Sequence, residues 1–127
     1  MEAWIQYHNP TKMTYGIEHC SGPPFSIYSS VADGNPIGNR VWLVGRLTDQ
    51  SSEVYIGYWF IVDEVRPCPN PNFLYEYCGC VGADLDPMPL ISQEDWFSSL
   101  LRKTRNFHNG FSKITDEQIL DGLYLLS

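Results

Sequence analysis

Three histidines, His8, His19 and His108, are the side chains of this 127-residue chain that titrate near neutral pH without help from their surroundings. Each stands beside a predicted loop, where an imidazole can act as an acid or a base. No serine or cysteine stands in a nucleophile motif, and no second histidine follows at a metal-ligand spacing. We therefore predict no catalytic residues and expect a protein that is not an enzyme.

The four cysteines offer a second kind of chemistry. Zinc prefers soft donors, and these would be Cys20, Cys68, Cys78 and Cys80, with His19 as an alternative to Cys20. Their spacing lacks the paired two-residue knuckle of structural zinc sites, and cysteines in a reducing compartment are usually free thiols. We expect free thiols and no cofactor, with zinc or a disulfide as the alternatives.

Charge limits the partners. Fifteen acidic and eight basic residues give a net charge of −7, which opposes broad contact with a nucleic-acid duplex. Half of the basic residues lie within residues 101–113, a segment without carboxylates: Arg102, Lys103, Arg105 and Lys113. This segment permits one local anion site. The simpler interpretation is a solvated basic helix end that complements the helix dipole.

Residues 54–65, VYIGYWFIVDEV, form the stretch that organises the rest of the chain. Their β-branched and aromatic residues predict the central strand of the fold. The alternation places Val54, Ile56, Tyr58, Phe60 and Val62 on one apolar face. Trp59 lies on the opposite face, where a cation from Arg46 or Arg102 stacked on its ring would mark a binding site; the alternative is that Trp59 is a core residue.

Other strands are predicted over residues 3–7, 25–29, 40–47 and 73–80, and a short one over 111–114, with a loop over 31–39. Capping signatures predict two helices, one from Ser92 (with Asp95) to near Thr104 and one from Thr115 (with Gln118) through Leu126. The predicted fold class is α+β: one domain over residues 1–127, built as a small mixed, partly closed β-barrel of five or six strands with two C-terminal helices.

No apolar run approaches the roughly 18 to 20 residues of a membrane span, and residues 1–9 lack the basic start and apolar middle of a signal peptide. We therefore expect a cytoplasmic protein without a membrane partner.

The order of motifs resembles the PUA-like superfamily and, within it, the EVE-type domains. The opening strand reads AWIQYHNP, the strand before the central hairpin GNRVWLVG, and the long central segment IGYWFIVDEVRPCP. The C-terminal part of these domains is resembled by the segment PLISQEDWFSSLLRKTRNFHNGFSKITDEQILDGLYLL. The resemblance covers nearly the whole chain and depends on the order of these motifs.

This resemblance implies a non-catalytic recognition module that binds a modified nucleobase, a nucleotide or a nucleotide-derived ligand in an aromatic pocket. The pocket positions implied by the family are Tyr7, His8, Asn9, Tyr28, Ser29 and Trp42. Trp42 or Tyr28 would stack on the base, and Asn9 and Ser29 would bind its edge. The phosphate would be held by Arg102, Arg105 and Asn106.

The acidic body leaves a nucleotide or a short single strand as easier ligands than a duplex. It also favours an alternative from another class: a small acidic immunity or inhibitor-type protein that mimics nucleic acid and binds a basic protein partner. A zinc-stabilised fold or small metalloenzyme is the third hypothesis.

Overall fold

Two sheets and three α-helices form the part of the chain that the computed structural model describes, residues 3–30, 34–108 and 110–127. The predicted loop over 31–39 thus lies partly outside the described residues. The strands are β1 Ala3–His8, β2 Phe25–Ser29, β3 Arg40–Gly45, β4 Tyr55–Ile61, β5 Glu64–Pro67, β6 Tyr75–Gly79, β7 Gly82–Asp84 and β8 Phe111–Ile114. The helices are α1 Pro10–Met13, α2 Phe97–Lys103 and α3 Glu117–Leu126.

The larger sheet has the strand order β7-β4-β3-β1-β8, and the smaller one has the order β2-β6-β5. β1 and β3 are parallel, and the other pairs are antiparallel. The predicted α+β class and mixed β structure are confirmed. In the described ranges, however, the strands form two separate sheets of five and three strands rather than a closed barrel.

A bent hairpin joins the two sheets along one side. β4 pairs with β7 in the larger sheet, and the same two chain segments continue as β5 and β6, which pair in the smaller sheet. Backbone hydrogen bonds persist through the bend, from Ile61 N–H to the Val81 carbonyl and from Asp63 N–H to the Cys78 carbonyl, both 2.8 Å long. The prediction of one central strand over 54–65 is therefore wrong. The segment divides at Val62–Asp63, and β3 is the middle strand of the larger sheet.

A β-bulge at Gly57 corrects the predicted apolar face of this segment. Leu43 pairs with Tyr58 while Val44 pairs with Ile56, so Gly57 has no counterpart on β3. An extra residue in one strand reverses the alternation of side chains beyond it. All five even-numbered residues are buried as predicted, but they divide between two cores. Val54 and Ile56 face the helices, whereas the other three, Tyr58, Phe60 and Val62, face the smaller sheet.

The larger sheet is consequently the middle of three layers. Its helix-facing core includes Ile5, Trp42, Leu100, Ile119 and Leu123. The core between the two sheets includes Trp4, Phe25, Val41, Phe60 and Phe111. Adjacent strands thus present apolar side chains to both faces of the sheet, as a covered middle sheet requires.

The two predicted C-terminal helices are present, with different starting residues. Ser92 does not cap α2, because its Oγ accepts a hydrogen bond from Val54 N–H at 3.1 Å and ties the segment to β4. Thr104 ends α2 as expected. Asp116 caps α3, with its Oδ1 3.1 Å from Ile119 N. Within the described ranges, none of the helices has the length and apolar character needed to cross a bilayer.

Candidate functional site

A cavity of about 250 Å³ lies between the two sheets, where β1 ends and α1 begins. Its wall combines aromatic rings with polar and cationic side chains. The aromatic residues include Tyr7, Tyr15, Tyr28, Tyr58 and Phe73. The polar and cationic residues include Gln6, His8, Asn9, Lys12, Cys20 and Ser26. Flat aromatic surfaces beside a few polar groups are the composition of a small-molecule site.

Helix α1 closes one side of this cavity, and Asn9 fixes its position. The Asn9 Oδ1 accepts hydrogen bonds from the backbone N–H groups of Thr11 and Lys12, at 3.0 and 3.2 Å. Pro10 follows at the first helical position, where its missing N–H is tolerated. Thr11 Oγ1 also donates to the Asp49 carboxylate. The Oδ1 of Asn9 is therefore engaged in capping α1, and the predicted base-edge role of Asn9 would fall to its Nδ2 amide group.

His8 is buried in the wall and has a defined tautomer. Its Nε2 lies 2.7 Å from the Tyr15 carbonyl, which can only accept, so this nitrogen carries the proton. The Nδ1 is then the acceptor, and it faces Cys20 Sγ at 3.5 Å. Burial lowers the pKa of His8, because desolvation opposes the charged form. The imidazole is thus neutral and held by two neighbours.

Cys20 keeps its proton in this arrangement. Burial raises the pKa of its thiol to about 11, and the nearby Glu18 carboxylate acts in the same direction. A nucleophilic cysteine needs the opposite, a lowered pKa beside a cation. The pair is therefore a neutral thiol donating to a neutral imidazole. Sequence reasoning missed it, since the single 3₁₀ turn Ile17–His19 brings together residues that share no local motif.

Gln6 crosses the gap between the sheets. Its Nε2 donates to the Tyr28 carbonyl of β2 at 2.9 Å, and this contact leaves its Oε1 without a hydrogen-bond partner among the described residues. Buried polar atoms are rarely left unpaired in folded proteins. Gln6 was also missed from the sequence. Its signal was present, because alternation places it on the same face of β1 as the buried Trp4.

The structure brings Tyr7, His8, Asn9 and Tyr28 of the predicted pocket to this cavity. The ring of Tyr7, however, points to the helix layer and stacks on Phe107, with centroids 4.7 Å apart. Ser29 is buried at the end of β2 and does not contribute to the wall.

Trp42 does not line this cavity, and its predicted stacking role there is corrected. It is 0% exposed in the helix-facing core, on the other side of the larger sheet. Its Nε1 donates to Ser127 Oγ at 3.1 Å. Trp59 lies half-buried in the same layer. A cation does stack on Trp59, but it belongs to Arg40, whose Cζ is 3.7 Å from the ring, rather than to Arg46 or Arg102.

The predicted phosphate-binding residues lie in the helix layer, and none lines the cavity. Arg102, on α2, donates to Ser99 Oγ at 3.0 Å. Arg105 and Asn106 are exposed and begin a left-handed turn that Phe107 completes, with φ of 53°, 55° and 65°. The cation that the structure does bring to the cavity is Lys12, whose Nζ is 4.4 Å from the centroid of the Phe73 ring.

The four cysteines are not assembled into a metal site. Cys78 is buried, Cys80 is exposed, Cys20 and Cys68 are intermediate, and none of them forms a disulfide. In the described part of the chain, no three histidine, cysteine or acidic side chains are arranged to hold a metal ion. The zinc hypothesis therefore gains no support from the geometry.

Comparisons with protein-family models, with curated proteins and with solved structures give no match to this chain. The geometry of the cavity and the order of the sequence motifs are therefore the features that bear on its function.

Proposed function

We propose that this protein is a non-catalytic recognition module that binds a nucleobase or nucleotide, including modified bases, in the cavity between its sheets. The observation that carries the proposal is the composition of the wall, in which aromatic rings stand beside an unpaired amide oxygen. The resemblance of the motif order to PUA-like, EVE-type domains supports the same function. The neutral Cys20 and His8 pair supports binding rather than nucleophilic catalysis.

The base and the phosphate of a nucleotide would each have a partner in the wall. Tyr28 and Phe73, with ring centroids 5.9 Å apart, offer a stacking surface for a base. Stacking on an aromatic side chain is worth roughly 1–3 kcal/mol per base. An N–H group of the base would satisfy the Gln6 Oε1 acceptor. Lys12 supplies the positive charge for a phosphate.

The size of the cavity and the charge of the protein favour a short ligand. Sites for drug-sized molecules occupy roughly 300–1,000 Å³, and this cavity, at about 250 Å³, suits a single planar ring system. The net charge of −7 opposes a long polyanion. The ligand would thus be one nucleotide or the end of a short single strand.

Isothermal titration calorimetry with a panel of nucleosides and nucleoside monophosphates, unmodified and methylated, tests this proposal. Tyr28→Ala should weaken binding about tenfold or more, given the stacking contribution above. Tyr55→Ala is the matched control, because Tyr55 is a half-buried tyrosine on β4 that does not line the cavity. If no member of the panel binds the folded protein, or if the two variants weaken binding equally, the proposal is wrong.

The charge of −7 favours a second candidate, an acidic inhibitor or immunity-type protein with a basic protein partner. Such a complex would weaken steeply as salt is raised, because long-range attraction is screened. Binding of a basic partner that persists unchanged between low and high salt would argue against it.

A further inference from the structure

A cationic side chain is clamped between aromatic rings on the helix-facing side of the larger sheet. The Cζ of Arg40 lies 3.7 Å from the ring centroid of Trp59 and 4.5 Å from that of Tyr124. The ring of Trp42 is more distant, at 5.6 Å. Tyr124 belongs to the last turn of α3, so the clamp connects this helix to β3 and β4.

Two donors in this clamp have no acceptor. The Nε of Arg40 and the Nε1 of Trp59 are both buried, and neither has a hydrogen-bond partner among the described residues. No ion pair joins Arg40 to a carboxylate in the described ranges. Burial also lowers the pKa of the guanidinium, as expected for a charge with little compensation from water.

Stacking explains only part of this arrangement. A cation–π contact stabilises the guanidinium through its face. Its N–H groups point outward in the plane of the group and require separate oxygen acceptors. Buried N–H groups without an acceptor destabilise a fold, so two of them side by side require an explanation. The indole rings of Trp59 and Trp42, which lie beside the guanidinium, offer no oxygen acceptor.

We propose that Arg40 and Trp59 form a binding site for a small oxyanion, either a carboxylate or a phosphate. A planar guanidinium presents its N–H groups in a fork that matches both oxyanions, and the indole N–H adds a neighbouring donor. The site would require a modest side-chain movement that turns the buried donors toward the ligand. Since it lies across the larger sheet from the cavity, its occupancy does not depend on nucleotide binding.

The two donors can be observed directly, because arginine Nε–H and indole Nε1–H groups give separate signals in a ¹H–¹⁵N NMR spectrum. The protein would be titrated with sodium phosphate and, separately, with sodium acetate, against sodium chloride at equal ionic strength. We expect saturable shifts of the Arg40 and Trp59 signals with phosphate or acetate and not with chloride. The more effective anion identifies the ligand class. The indole signals of Trp4 and Trp96 serve as internal controls.

Two variants distinguish a specific oxyanion site from nonspecific attraction of an anion to a positive charge. Arg40→Lys keeps the charge and removes the fork, and Trp59→Phe keeps a ring and removes the N–H. We expect the saturable response to be lost in Arg40→Lys and to weaken several-fold in Trp59→Phe, with the control indoles showing that each variant is folded. Non-saturable shifts in the natural protein, or an undiminished response in Arg40→Lys, would overturn the proposal. If one variant fails to fold, the other decides.

Discussion

The protonated state of Cys20 leads to a prediction that separates a binding pocket from a catalytic dyad. An isolated thiol has a pKa of 9.0, and burial beside Glu18 raises that of Cys20 to about 11. Because each pH unit changes the thiolate fraction tenfold, Cys20 should carry about a hundredfold less thiolate at neutral pH than it does in the unfolded chain. Its alkylation should be correspondingly slow.

Iodoacetamide alkylation between pH 7 and 12, followed by peptide mass spectrometry, measures this effect. The rate for Cys20 should reach half of its maximum near pH 11 in the native protein and near pH 9 in urea. The midpoint reports ionisation separately from access, and the exposed Cys80 reports that the reagent is active. A native midpoint at or below that of the unfolded chain would refute the reasoning. It would mean that His8 stabilises a thiolate, as in a catalytic pair.

Three further predictions concern stability. Trp42→Ala should lower the free energy of unfolding by about 3–5 kcal/mol, and chemical denaturation should show this loss whether or not ligand is present. Gly122→Ala should lower the free energy of unfolding by about 1–3 kcal/mol in the same assay, because the added Cβ would lie 2.1 Å from Trp96 Nε1. Gly38→Ala is the control: an added Cβ there meets no neighbour, so this variant measures only the backbone strain of a positive φ. The lowered pKa of His8 stabilises the fold above the ordinary value of 6.5, and this contribution should be lost as pH falls below it. His8→Gln should flatten that part of a thermal-melt pH profile, and an unchanged slope would contradict the assignment.

Local patterns predicted the elements better than their arrangement. β1 and β3 are buried on both faces and were located by the turn residues that flank them, whereas alternation located β2, whose residues are buried with a period of two. Alternation failed at Gly57, since a bulge is defined by the partner strand and leaves no mark in a single segment. Ser92 misled for a related reason. The Ser92 Oγ accepts a hydrogen bond from Val54 N–H, and a local capping signature contains no information about such a distant partner.

The predicted pocket positions that do line the cavity lie at or near the ends of β1 and β2. His8 and Tyr28 were among the pocket positions implied by the family resemblance, and both line the cavity. Trp42 was misplaced because the parity of β3 relative to β1 follows from their parallel register, which pairs Ile5 with Trp42. Cys20 and Lys12 reach the cavity through a turn and a short helix whose directions are set by tertiary contacts.

The bent hairpin has a consequence for motion. Backbone hydrogen bonds run continuously between the sheets on that side, whereas β1 and β2, on the other side, are connected in the described residues by the Gln6 side chain. Separation of the sheets at β2 would therefore break no strand ladder, but it would break the hydrogen bonds that Gln6 and Tyr58 donate to β2 and expose the apolar core between the sheets. The cavity lies on that side, so a ligand bound there would contact both sheets and should slow amide hydrogen exchange along β2.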